Sequence, residues 1–149
     1  MTSLREFRRI LDATFSENYA QRSRVTASNA RGNGDRRFLP RNVIDRKRET
    51  YWTTEDQITT PELIIDLGRE RTFNVVRVRE YLPLGQRVEA FALDLWQHNK
   101  WQQFATGTTI GNCKLVRGKP VTTSKVRLRI TQAPVSPAIA EFALFAEPK

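Results

Sequence analysis

Residues 125–130 read basic, apolar, basic, apolar: Val126, Leu128 and Ile130 alternate with Lys125, Arg127 and Arg129. A period of two places the apolar side chains on one face of a strand and the cations on the other, so the segment requires a sheet with one side in a core and one in water. Strand-like runs bounded by turn residues recur at 25–29, 62–67, 73–81, 89–97, 100–106, 113–117, 124–131 and 138–146. His98-Asn99-Lys100, between Trp96 and Trp101, is a hairpin turn by position. No helical stretch separates these runs, so the crossovers of a parallel sheet are missing and antiparallel pairing follows. The predicted fold is all-β, a jelly-roll β-sandwich of about eight antiparallel strands. Only the start departs from period two. Leu4, Phe7, Ile10, Leu11 and Phe15 recur at steps of three and four, and Ser3 with Glu6 forms a capping box. An N-terminal α-helix over 3–18 is expected, dividing the chain into a helical segment 1–19 and a sandwich 20–149.

The 149 residues suffice for one domain with a core. A single cysteine, Cys113, excludes an internal disulfide, and with a lone histidine, His98, it excludes Cys- and His-based metal clusters. No apolar run approaches the roughly 18 residues needed to cross a bilayer, and the first twenty residues lack an export h-region. Of the formal charge of +9, most lies early: residues 1–48 carry 12 basic and 5 acidic side chains. Such a bias fits a nucleic-acid surface, an acidic glycan or a face docked on an acidic partner domain, and an acidic polymer would be nucleic acid or a sulfated glycan. Against nucleic acid, Arg22, Arg24, Arg31, Arg36 and Arg37 have only Phe38 near them, where base stacking would want interleaved aromatics. Nucleophile elbows, phosphate-cradling loops and Cys/His pairs are missing, and the acidic residues Asp45, Asp56, Asp66, Glu80 and Asp94 form no distinctive pair.

The most informative stretch is Asn42-Val43-Ile44-Asp45-Arg46-Lys47-Arg48-Glu49-Thr50-Tyr51-Trp52. A carboxylate at Asp45 and a hydroxyl at Thr50, joined by a tight loop, are the oxygens a hard cation such as calcium uses. Downstream come Asp66-Leu67-Gly68, Asn74-Val75-Val76-Arg77-Val78, Val126-Arg127-Leu128 and Glu141-Phe142. In this order they resemble the coagulation factor five/eight type C domains, also called discoidin-like or galactose-binding-like. The resemblance implies a structural calcium held by the side chains of Asp45, Thr50 and Glu141 and by backbone oxygens of Asn42, Arg48 and Ala140. The chain departs from the family at Arg46-Lys47, where Gly-Asp is usual, so a non-glycine residue must take up a glycine conformation beside two added cations. Trp52 is expected in the core.

Two further stretches, Arg79 to Phe91 and Thr106 to Gly111, together with Thr122 to Ile130, are similar to the C-terminal β-sandwich of α-L-fucosidases of glycoside hydrolase family twenty-nine. These are retaining enzymes whose catalytic carboxylates lie in a separate barrel. The resemblance implies that the chain is a fragment with an artificial Met1. It would be a non-catalytic module, carbohydrate-binding or structural, serving a fucosidase that is periplasmic, at the cell surface or secreted. Its partners would be the catalytic barrel and possible carbohydrate, with no membrane. Sugar contacts are expected from Arg36, Arg37, Tyr51 and Glu55. Docking on the barrel is expected from Glu80, Gln86, Arg87 and the helix 3–18. The alternative function is a basic-surface binder of acidic polymer.

Overall fold

The computed structural model describes Phe15 and residues 17–147. Seven strands are formed: β1 (Arg24–Ala27), β2 (Trp52–Thr53), β3 (Glu62–Glu80), β4 (Ala90–Gln97), β5 (Lys100–Gly107), β6 (Lys114–Gln132) and β7 (Ala138–Phe145). All pairings are antiparallel, in the order β2-β7-β3-β6-β4-β5, with β1 added to β3. The expected runs 62–67 and 73–81 are one strand, and so are 113–117 and 124–131.

Irregular register explains both fusions. From Asp66↔Lys125 to Arg71↔Thr123 β3 advances five residues against two on β6, and from Phe73↔Val121 to Val75↔Arg117 β6 advances four against two. Such bulges bend a ladder without ending it. The two long strands therefore serve both layers. The first half of β3 pairs with β1 and with the part of β6 that continues to β4 and β5, whereas the second half pairs with β7.

The alternation behaves as its period requires. Val126, Leu128 and Ile130 are buried with Leu63, Ile65, Phe91, Leu93 and Trp52 in the main core. Gly107 of β5 lies against the Phe91 ring, where a Cβ would come within 2.4 Å of Cζ, so only glycine lets the ring pack there. On the outer face, Asp94 is only 1% exposed because Arg127 and Arg129 close over it, with their Nε atoms donating at 2.8 and 2.6 Å. The same guanidinium of Arg127 lies 4.6 Å from the centroid of the Trp101 ring, and Trp101 meets Trp96 edge-on.

Strand β7 is apolar on both sides, and its outer side needs a cover. Val75, Ala143 and Phe145 form a second cluster against Leu115 and Phe15, whose ring meets Phe145 edge-on at 4.9 Å. Phe15 has helical backbone; the rest of the expected helix, apart from residues 17 and 18, lies outside the described residues. Past it, the Tyr19 N–H donates to the Leu144 carbonyl at 2.9 Å, and Asn18 Oδ1 accepts from the N–H groups of Ala20 and Leu144. These bonds fix the approach to β1 against the last strand.

Candidate functional site

At one end of the sandwich the loops preceding β2 and following β3 meet. Pro40 opens the short 3-10 turn Pro40–Ile44, where its fixed φ suits the first position. Asn42 is then buried, and its Nδ2 donates to the carbonyls of Arg36 and Tyr51, both at 3.1 Å. That pair of bonds brings the chain leaving the loop back alongside the chain entering it. Tyr51 consequently lies on Tyr81, with ring centroids 4.1 Å apart and planes 17° apart, and Phe38 packs on its far side at 5.7 Å. Trp52 is fully buried, its Nε1 donating to the Asn29 carbonyl, as expected of a core residue.

Beside Tyr81 opens a cleft of about 300 Å³ walled by Tyr81 and Pro83 and edged by Arg48, Glu49, Arg79 and Asn112. An apolar wall facing charged and amide groups suits a polyhydroxylated ring, whose C–H faces pack while its hydroxyls are hydrogen-bonded. Of the residues expected at a sugar, Tyr51 belongs to the aromatic stack behind this cleft. Arg36 is exposed. Arg37 is held by Asp35 at 2.7 Å and lies over Phe38. The hydrogen bonds from Arg37 lower the pKa of Asp35 to about 2. Glu55 accepts from the Gly32 N–H and secures the glycine-rich loop. Tyr81, Arg79 and Glu49, which line this cleft, were not among the residues expected at a sugar, because the only sequence signal was an aromatic at a strand end.

The docking residues are placed differently from expectation. Glu80 is 4% exposed, and its carboxylate accepts from the backbone N–H groups of Arg87, Val88 and Gly111 at 3.1, 2.6 and 3.0 Å. It organises its own domain by tying three backbone N–H groups together. Arg87 donates to the carbonyls of Leu84 and Ser136, tying the 82–88 loop to residues 133–137. Gln86 is exposed. Beside Gln86 the two loops also turn apolar side chains outward: Leu82, Leu84 and Val135 are 43%, 40% and 45% exposed.

The residues expected around calcium do not converge as an open oxygen cage. Asp45 accepts from the Lys47 N–H at 2.9 Å and from the Thr50 hydroxyl, and the Asn42 carbonyl accepts from the Asp45 N–H. Glu141 accepts from Arg77 Nε at 2.6 Å and faces Arg79 at 3.4 Å. Arg48 and Ala140 line the cleft beside Tyr81 instead. Among the described residues, no three carboxylate, histidine or cysteine side chains are grouped as metal ligands. As it stands, this donor set does not fit a calcium ion.

Comparison with known proteins places these features in context. The chain is 35% identical over 148 residues to a protein of Oryza sativa subsp. japonica provisionally named alpha-L-fucosidase 1, covering 99% of this chain and 29% of that one. The structure of the Ruminococcus gnavus GH29 fucosidase in complex with fucose superposes with a TM-score of 0.88 at 32% identity, over 97% of this chain and 29% of the other. A chitosan-binding module from a Paenibacillus chitosanase/glucanase shares the fold at 20% identity, with a TM-score of 0.75 over 87% of this chain and 98% of that one. The chain thus spans about 29% of the length of the fucosidases it matches. The F5/8 type C domain family matches residues 24–145, and the chain belongs to that family.

Proposed function

We propose that the chain is a non-catalytic accessory module of a longer α-L-fucosidase acting in the periplasm, at the cell surface or outside the cell. On this reading it holds carbohydrate in the cleft beside Tyr81 while a separate catalytic domain hydrolyses fucosylated glycans. One observation carries the reading: similarity covers nearly the whole chain but less than a third of each fucosidase. The test is turnover of an aryl fucoside. The longer protein should hydrolyse it and the chain should not, and turnover by the chain would overturn the assignment.

Sugar binding is tested by titrating fucosylated and galactosylated oligosaccharides against the chain. Tyr81→Ala removes a wall of the cleft and should weaken binding at least about tenfold, with little dependence on salt for a neutral sugar. A steep salt slope with a polyanion, together with no oligosaccharide binding, would favour the acidic-polymer reading.

Docking on the catalytic domain passes, in this proposal, from Glu80 and Arg87 to the exposed apolar side chains of Leu82, Leu84 and Val135. Leu82→Asp with Leu84→Asp should lower the thermal stability of the longer protein while changing the melting temperature of the chain by no more than a degree or two. Equal loss in both would assign these leucines to the sandwich itself.

A further inference from the structure

Around the junction between the 42–50 loop and β7, both Asp45 carboxylate oxygens, the Asn42 carbonyl and Glu141 Oε1 accept hydrogen bonds from donors of the chain. Glu141, on β7, is engaged by Arg77 and Arg79 of the neighbouring strand. Arg77 is held in turn by two aromatic rings, its Cζ lying 4.8 Å from the Phe145 centroid and 5.4 Å from that of Phe15. Guanidinium favours such ring faces and a planar approach to carboxylate, so its position is defined from three sides.

The loop is met by Gln21. Its Nε2 donates to the Ile44 carbonyl, and its Oε1 accepts from Arg46 Nε at 2.9 Å. Arg46 itself sits at φ +67°, the left-handed conformation that glycine adopts without strain. A side chain at that position is costly unless it makes contacts that offset the strain, and the bond to Gln21 is one. Asn18, three residues before Gln21, clamps the Leu144 N–H of β7. Phe15 and Asn18 therefore touch β7, and Gln21 touches the loop.

We propose that this chain closes the loop-to-β7 junction without a metal: Arg77 and Arg79 neutralise Glu141, and Gln21 with Arg46 satisfies the loop, so Phe15, Asn18 and Gln21 with these arginines do the work of a structural cation. Arg46, Arg77 and Arg79 stand at the junction against Glu141, a balance that disfavours a further divalent ion.

The experiment is thermal unfolding of the chain and its variants in chelator and in millimolar calcium. The chain should melt at the same temperature in both, and Gln21→Ala and Arg77→Leu should each lower it equally in both, by roughly 3 to 10 °C. Adding Glu141→Leu to Arg77→Leu should recover part of the loss, because the carboxylate is no longer left with only the longer contact to Arg79. The triple change Arg46→Gly, Lys47→Asp, Arg77→Leu removes the shorter of the two ion pairs of Glu141 and restores the usual loop residues, and should create a calcium-dependent rise. A calcium-dependent rise in the unmodified chain that disappears with Asp45→Ala would overturn the proposal. So would Gln21→Ala and Arg77→Leu leaving the melting temperature unchanged. If the triple variant does not fold, calorimetric titration of the unmodified chain with calcium decides alone: no binding heat supports the proposal, and saturable binding lost with Asp45→Ala overturns it.

Discussion

Replacing Glu80 by alanine is expected to destabilise the chain by about 4 kcal/mol, one of the two largest effects of any single change considered, because one buried carboxylate serves three backbone donors from two segments. A buried N–H without a partner costs roughly 1 to 3 kcal/mol, and water cannot reach these positions freely. The melting temperature should fall by roughly 10 to 15 °C in differential scanning calorimetry. Glu80→Gln keeps one acceptor oxygen but turns an amide N–H₂ toward the remaining donor, so it should recover only part of the loss. A residue whose role was to meet another domain would leave the isolated chain unaffected, and an unchanged melting temperature for Glu80→Ala would restore that role.

Asp94→Ala should cost about 3 to 5 kcal/mol, since it leaves Arg127 and Arg129 facing an emptied, buried position. The Asp94 carboxyl also sets a pH dependence. Burial raises its pKa, but hydrogen bonds from Arg129 and Arg127 outweigh burial and hold it below the usual carboxylate range. With a folded-state pKa below the unfolded value of about 3.9, the unfolded chain binds the proton first, so stability rises with pH across that interval. The contribution is complete above the unfolded value and is lost as pH falls through the folded one. Denaturant midpoints measured from neutral pH down to pH 2 should drop more steeply for the unmodified chain than for Asp94→Asn. Parallel profiles would remove Asp94 from the acid response.

The all-β fold was legible because its strongest signal is local. The alternation at 125–130 needs no partner to be read, and Val126, Leu128 and Ile130 are in the core. The continuity of β3 and β6 was not legible, because Gly68 and the Gly118-Lys119-Pro120 stretch carry the marks of turns yet sit at bulges within paired strands. Glu80 was misread for a related reason. A charged residue beside a Pro- and Gly-containing loop looks exposed, and its three donors lie 7, 8 and 31 residues away. For Glu141 the strand could be read, but its neighbours could not: the register that sets Arg79 opposite it and Arg77 opposite Ala143 arises only on pairing. By contrast, Arg46 in place of a usual glycine was visible as a conflict, and its left-handed φ is where that conflict comes to rest.

The bond between the Tyr19 amide and the Leu144 carbonyl bears on how such a unit can be built into larger proteins. It sets Tyr19 and Leu144, 125 residues apart along the chain, one hydrogen bond apart in space. A unit whose first and last described segments adjoin can be spliced between or beside other domains without stretching their connections. It also means that tension pulling these two segments apart would not draw first across the whole sandwich. It would load first the contacts that Phe15, Asn18 and Tyr19 make with Leu144 and Phe145.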